Sequence, residues 1–151
     1  MTVRIVTDST CDLPADIINK YRISVIPLYI NVGSQGYLDG VDITRQEFYQ
    51  KLPVFPTQPT TAVPSAQKFH SVYTALADEG ATDVLSIHIS TALSAIHNVA
   101  QVAAQEVTST RVTVMDSRQL SLGTGFLVEL AARLAEAGHS LEQIVSALNE
   151  Q

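Results

Sequence analysis

The sequence predicts an α/β domain, a mostly parallel sheet with helices on both faces. Short β-branched runs alternate with helix-length amphipathic segments throughout the second half of the chain, the order that builds a parallel sheet. Hydrophobic residues are 46% of the 151 and charged residues 16%, enough apolar surface for one buried core. Residues 84–105, a predicted strand and the helix after it, contain no Asp, Glu, Lys or Arg.

The elements follow in order. Val3, Arg4, Ile5 and Val6 form a first strand, and Thr7-Asp8-Ser9-Thr10 reads as a polar turn. Pro14 stands where a first helical turn accepts it, so residues 15–20 continue as a short helix. Residues 23–32 are a second extended run, and Pro27 within it marks an edge or interrupted strand. Gly33 to Gly36 is a turn, with residues 37–42 as the hairpin return. Thr44 and Glu47 make a capping box for a helix through about Leu52. Pro53, Pro56, Pro59 and Pro64 exclude regular structure over 53–64. Ser65 caps a helix to about Asp78, closed by Gly80. A strand over 84–89, a helix over 93–106 and a strand over 111–115 come next. A helix over about 120–137 then stops at Gly138, and an amphipathic piece over 140–149 runs to the end.

Nine Lys and Arg against fifteen Asp and Glu leave a formal charge of −6, which argues against nucleic-acid binding through a basic face. No apolar run approaches the roughly 18 residues of a membrane span, so no membrane insertion is expected. The start lacks the shape of a secretory signal. Cys11 is the lone cysteine, so no intrachain disulfide forms and a reducing cytoplasm is the natural setting.

Candidate chemistry lies in two charge-free stretches, 84–105 and 53–67. They are either a central strand, its covering helix and a docked loop, or walls of a shared apolar pocket beyond the carboxyl ends of the strands. Ser90-Thr91-Ala92-Leu93-Ser94 precedes a helix, where hydroxyls and free N–H groups either cap that helix or bind an anion. Thr57, Thr60, Thr61 and Ser65 form a second hydroxyl cluster in the proline-rich loop. His88 reads as a packed core residue, His97 as core or pocket-facing, and His70 and His139 as surface positions. No metal-ligand spacing occurs among them, and Asp8, Asp12 and Asp16 look like caps. No Gly-x-Ser-x-Gly elbow is present. Gly123-Thr124-Gly125 has Val128 at the place of a third glycine, so no dinucleotide or other cofactor is expected. Cys11 has no cationic neighbour in sequence and reads as structural.

Five stretches taken together resemble one family. Asp8-Ser9-Thr10-Cys11-Asp12-Leu13-Pro14 is similar to the D-S-x-x-D-L-P opening of the DegV family of bacterial fatty-acid-binding proteins. Val25-Ile26-Pro27-Leu28, with Tyr37 and Asp39 after it, resembles that family's V-x-P-L strand and acidic turn. Thr60-Thr61-Ala62-Val63-Pro64-Ser65 stands in the place of T-S-Q-P-S, and Ser90-Thr91-Ala92-Leu93-Ser94 resembles S-S-x-L-S-G-T. Residues 114–125 match V-x-D-S-x-x-x-S-x-G-x-G.

The resemblance implies an α/β domain that binds a long-chain fatty acid, with the carboxylate meeting Thr61 and Ser94; on physical grounds the helix dipole and the Ser94 and Ala95 amides are expected to assist. Some family members present the bound acid to a separate fatty acid kinase, so the chain is expected to be a carrier and not an enzyme. Two departures bear on the site. Ala62-Val63 replaces Ser-Gln and Ala95-Ile96 replaces Gly-Thr, which removes side-chain donors or adds bulk near Thr61 and Ser94. Residues 1–151 correspond to the family's N-terminal domain, and the C-terminal domain that closes the acyl tunnel is expected to be absent from this chain, weakening its binding. Two alternatives stand beside the fatty-acid reading. One is an interaction or assembly module of the same fold that has lost lipid binding; the other is an esterase-like enzyme using Ser94 and His97.

Overall fold

The computed structural model of the chain describes residues 2–151. Its main sheet has four parallel strands in the order β2-β1-β6-β7, with β1 Val3–Asp8, β2 Ser24–Ile26, β6 Asp83–His88 and β7 Arg111–Asp116. All six residues of β6 are buried, as an interior strand paired on both sides requires. Its alternation serves two cores. Val84, with Val6 and Ile26, packs under α3 (Ala66–Asp78) and α4 (Ile96–Glu106) through Phe69, Tyr73, Leu76, Ile96 and Ala100. Leu85 and Ile87, with Ile5, pack under α5 (Leu122–Glu136) and α6 (Leu141–Asn149) through Val128, Ala131 and Ile144. The short α1 (Ala15–Lys20) leans on this second core through Ile17 and Ile18. The predicted sheet with helices on both faces is therefore the one observed.

The run over 23–32 is interrupted at Pro27. Its first part is β2; its second, β3 (Tyr29–Val32), enters a separate antiparallel sheet of order β4-β3-β5. β4 is Gln35–Leu38 and β5 is Thr60–Ala62. β5 overturns the expectation of no regular structure over 53–64, as does a 3-10 turn at Leu52–Val54. The prolines flank positions 60–62 without occupying them, so these residues keep free N–H groups and complete the open edge of β3. The stretch is also not a docked loop, since most of it is exposed and Val54 is 77% accessible.

Other boundaries move for local reasons. Thr7 and Asp8 belong to β1, where they pair with Val25, Ile26 and Ile87, and the turn is a 3-10 turn at Ser9–Cys11 capped by the Asp8 side chain. The helix expected from 93 starts at Ile96, after Ser90 accepts from the amides of Leu93 and Ser94 in a preceding turn. Ser121 lies at φ 56 and ends the irregular segment before α5. The Thr44–Glu47 capping box forms as expected and opens α2 (Arg45–Lys51). Ser65 occupies the N-cap position of α3 but makes no side-chain cap bond.

The Gly-Thr-Gly run at 123–125 has a packing role. A Cβ at Gly125 would sit 2.4 Å from the carbonyl oxygen of Cys11, so only glycine lets α5 cross the 3-10 turn this closely. Gly125→Ala is expected to destabilise the fold by about 1–3 kcal/mol through overpacking. Urea unfolding measures this, and an unchanged midpoint would mean that the two segments separate freely.

Candidate functional site

In a parallel sheet the strand ends lie side by side, so Asp8, His88 and Asp116 share the carboxyl edge. The three segments leaving that edge are rich in hydroxyls: Ser9 and Thr10 after β1, Ser90, Thr91 and Ser94 after β6, Ser117 and Ser121 after β7. The last two segments are laced together. The Thr91 hydroxyl donates to Asp116 Oδ2 at 2.7 Å, the Ser90 amide donates to the Gln119 carbonyl at 3.0 Å, and the Ser117 amide donates to the His88 carbonyl at 2.9 Å. Partial burial pushes the Asp116 carboxyl up, but the Thr91 hydroxyl and the amides of Arg118 and Thr91 outweigh it and hold the group below its ordinary range.

Ser94 is half-buried in the segment between β6 and α4. Its amide donates to the Ser90 carbonyl at 3.1 Å, and its Oγ accepts from the Ile96 amide at 3.2 Å, capping the first turn. Among the described residues its hydroxyl proton has no acceptor, and the Ala95 amide has none either. Both donors stand on the positive end of the α4 dipole. Ala95 itself is exposed at the N-cap position.

Thr61 is exposed at the centre of β5, opposite Ile30, and Ala62 is half-buried opposite Tyr29. The Thr61 hydroxyl makes no hydrogen bond among the described residues. Thr61 and Ser94 thus come from different sheets, and no hydrogen bond joins them. What ties the small sheet to the carboxyl edge is the Leu28 amide, which donates to Ser9 Oγ at 3.1 Å just before β3 begins. Leu93, Leu120 and Phe126, at 61%, 59% and 64% exposure, are exposed apolar side chains on the segments after β6 and β7 and in α5.

Three cavities among the described residues touch neither charge-free stretch. The charge-free strand and helix are core elements. A cavity of about 710 Å³ runs between β7, α5 and the end of α6, past Asp116, Arg118, Phe126, Leu130 and Leu148. A smaller one of about 270 Å³ lies beside the 3-10 turn, lined by Cys11, Leu13, Pro27 and Val41.

His88 is a satisfied core histidine, as its strand position suggested. Its environment was not legible in the sequence. Nδ1 is 2.9 Å from Asp8 Oδ2, Nε2 is 2.8 Å from Ser86 Oγ, and the Tyr73 hydroxyl donates to Ser86 Oγ at 2.8 Å. All four side chains are fully buried. If Tyr73 donates to Ser86 and Ser86 to Nε2, then Nδ1–H donates to Asp8 and no proton is orphaned; the hydrogen-bond inventory assigns this tautomer. The order Ser-His-Asp is that of a hydrolytic triad, yet no reactant reaches a serine closed in the core beneath α3. Two signals existed: Ser86 and His88 at i and i+2 on one face of an otherwise apolar strand, and an aspartate ending another.

The remaining candidates separate. His97 is half-buried with its Nδ1 unpartnered and no bond to Ser94. His139 is exposed, while His70 is half-buried and less peripheral than expected. Asp8 caps the 3-10 turn, but Asp12 instead accepts from Arg45 and from the Ser121 hydroxyl. Among the described residues no group of three or more His, Cys, Asp or Glu is placed to hold a metal. Cys11 is buried, and burial pushes its thiol up, away from the reactive thiolate.

A family model described as an uncharacterised protein of the DegV family matches residues 2–151. A DegV domain-containing protein of Clostridium perfringens is 41% identical over 142 residues, covering 94% of this chain and 50% of that protein. The solved structure of a DegV family protein from Thermus thermophilus, described by its fatty acid binding, has a TM-score of 0.90 at 43% identity over 99% of this chain and 53% of that one. A stearic acid-binding protein from Eubacterium ventriosum has a TM-score of 0.89 at 33% identity over 97% of this chain and 52% of its own. The chain spans about half the length of each of these relatives.

Proposed function

The chain belongs to the DegV family, and we propose that it forms the part of a long-chain fatty-acid carrier that holds the acyl carboxylate. The observation that carries this reading is the meeting of free donors and apolar surface on one segment. The Ser94 hydroxyl and Ala95 amide stand unpartnered at the start of α4, directly after the exposed Leu93. Thr61, on the sheet anchored through Ser9, supplies the second hydroxyl.

The chemistry suits an acid with a long tail. A carboxylate needs charge-assisted donors, and a helix N-terminus with hydroxyls provides them without a buried cation. Each buried methylene contributes about 0.8 kcal/mol, so a sixteen-carbon tail has on the order of 10 kcal/mol to offer before ordering costs. The exposed Leu93, Leu120 and Phe126 offer such a tail apolar surface. A further polypeptide wall, the second domain of the family, completes the site, and residues 2–151 alone bind weakly. The protein acts as a cytoplasmic carrier, and the exposed carboxylate end is what a partner fatty acid kinase would reach.

Titrating palmitate and hexadecanol against the chain tests the reading, because the two differ only at the head group. Palmitate is expected to bind about tenfold more tightly or better, the worth of one charge-assisted hydrogen bond. Equal affinities would remove the carboxylate from the account. The same exposed apolar side chains also favour a second reading, an assembly module, for which a concentration-dependent oligomer carrying no lipid is the expected signature.

A further inference from the structure

Asp8 is the point from which both halves of the proposed site are held. Its Oδ1 accepts from the Thr10 amide at 3.0 Å and the Thr10 hydroxyl at 2.5 Å, which sets the 3-10 turn after β1. That turn carries Ser9, whose Oγ receives the Leu28 amide and anchors β3, the strand on which Thr61 is paired. Its Oδ2 accepts from His88 Nδ1 at 2.9 Å and from the Ile89 amide at 3.3 Å. Ile89 opens the segment in which the Ser90 carbonyl receives the Ser94 amide. One buried carboxylate therefore reaches Thr61 by one route and Ser94 by another, each through two or three hydrogen bonds joined by short stretches of backbone.

We infer that Asp8, oriented by His88, is a positioning residue that fixes the two segments presenting Thr61 and Ser94 to an acyl carboxylate. The inference rests on the fatty-acid reading for its ligand, but the mechanical link does not. A carboxylate is required because four donors converge on it, two from Thr10 in the 3-10 turn and two from His88 and Ile89 at the end of β6. Asparagine is isosteric, yet it has a single acceptor oxygen and would turn an amide NH₂ toward donors on one side. Burial alone would raise the Asp8 carboxyl, and the bonds from His88 and Thr10 overcome it, so the group stays ionised and keeps all its acceptor sites. The opposite end of the same network, Tyr73 on α3, donates to Ser86 and makes no hydrogen bond to either segment among the described residues. It is the internal control: its loss removes a buried hydrogen bond of the same network without releasing a loop.

The experiment compares Asp8→Asn with Tyr73→Phe in the full chain by two readouts, palmitate affinity and amide hydrogen exchange at Leu28, Ile89 and Ser94. Asp8→Asn is expected to weaken palmitate about tenfold, as loss of an orienting partner behind a ligating group does. It also speeds exchange at the three amides, while Tyr73→Phe lowers the unfolding midpoint and leaves both readouts at wild-type levels. A folded Asp8→Asn with unchanged affinity and exchange overturns the inference. Equal losses in both variants also overturn it, since the network would then act only through stability. If Asp8→Asn fails to fold, Thr10→Val, which cuts only the hydroxyl bond to Oδ1, is judged by the same two readouts. If wild-type protein takes up no palmitate, the fatty-acid reading fails, and the exchange comparison decides the positioning role by itself.

Discussion

Replacing His88 with alanine is expected to lower the stability of the folded chain by about 3–5 kcal/mol at neutral pH, the combined cost of a buried cavity and of a buried carboxylate that loses a donor. Asp8 and His88 are both fully buried, and the imidazole also packs edge-on to Phe69 with centroids 5.5 Å apart. The variant would leave a cavity and a carboxylate short of one donor. The effect depends on pH in a direction that the wild-type geometry sets. Asp8 is held below its ordinary value of 3.8, so its stabilising contribution is complete above that value and is lost as pH falls through the lower folded value. Without His88, burial dominates and the folded carboxyl rises, so acid favours the variant. The gap between wild type and variant is therefore expected to narrow between neutral pH and about pH 4. Urea unfolding at a series of pH values reads this, and a gap that widens in acid would contradict the assigned hydrogen-bond chain.

Simultaneous loss of the hydroxyls at Thr61 and Ser94 is expected to weaken fatty-acid binding by about 2–4 kcal/mol, since each hydrogen bond to an ionised group contributes about 1.5–3 kcal/mol and the pair shares one carboxylate. Thr61 is exposed and its hydroxyl makes no hydrogen bond among the described residues, so Thr61→Ala leaves the fold intact. Ser94→Ala removes the acceptor of the Ile96 amide and costs about 0.5–2 kcal/mol of stability as a lost cap. Binding is therefore measured well below the unfolding transition of the double variant. Affinity equal to wild type would take both hydroxyls out of the site.

Much of this was legible in the sequence, for identifiable reasons. Strand-helix alternation after residue 83 and the uncharged run at 84–105 marked the parallel sheet and its interior strand, because burial on two faces excludes charge. The Thr44–Glu47 box marked a helix start, because the bonds are local. The second sheet was not legible. β5 is three residues long and exists only because β3 offers an edge some thirty positions away, which no local pattern reports. Thr61 and Ser94 are proposed from motif resemblance, and the hydrogen-bond routes from Asp8 toward both were not legible. Asp8 looked like a cap and is one, yet its second oxygen reaches His88, 80 positions on, and only the parallel pairing of β1 with β6 brings them together.

The central claim is that an acyl carboxylate binds at the start of α4 and against β5. The most direct measurement is a titration of isotopically labelled protein with palmitate, followed amide by amide by nuclear magnetic resonance. The account predicts that the amides of Thr61, Ala62, Ser94 and Ala95 shift together and saturate at one ligand per chain. Shifts confined to the cavity along β7, α5 and α6, at Val114, Leu130 and Leu148, with Thr61 and Ser94 unmoved, would contradict it.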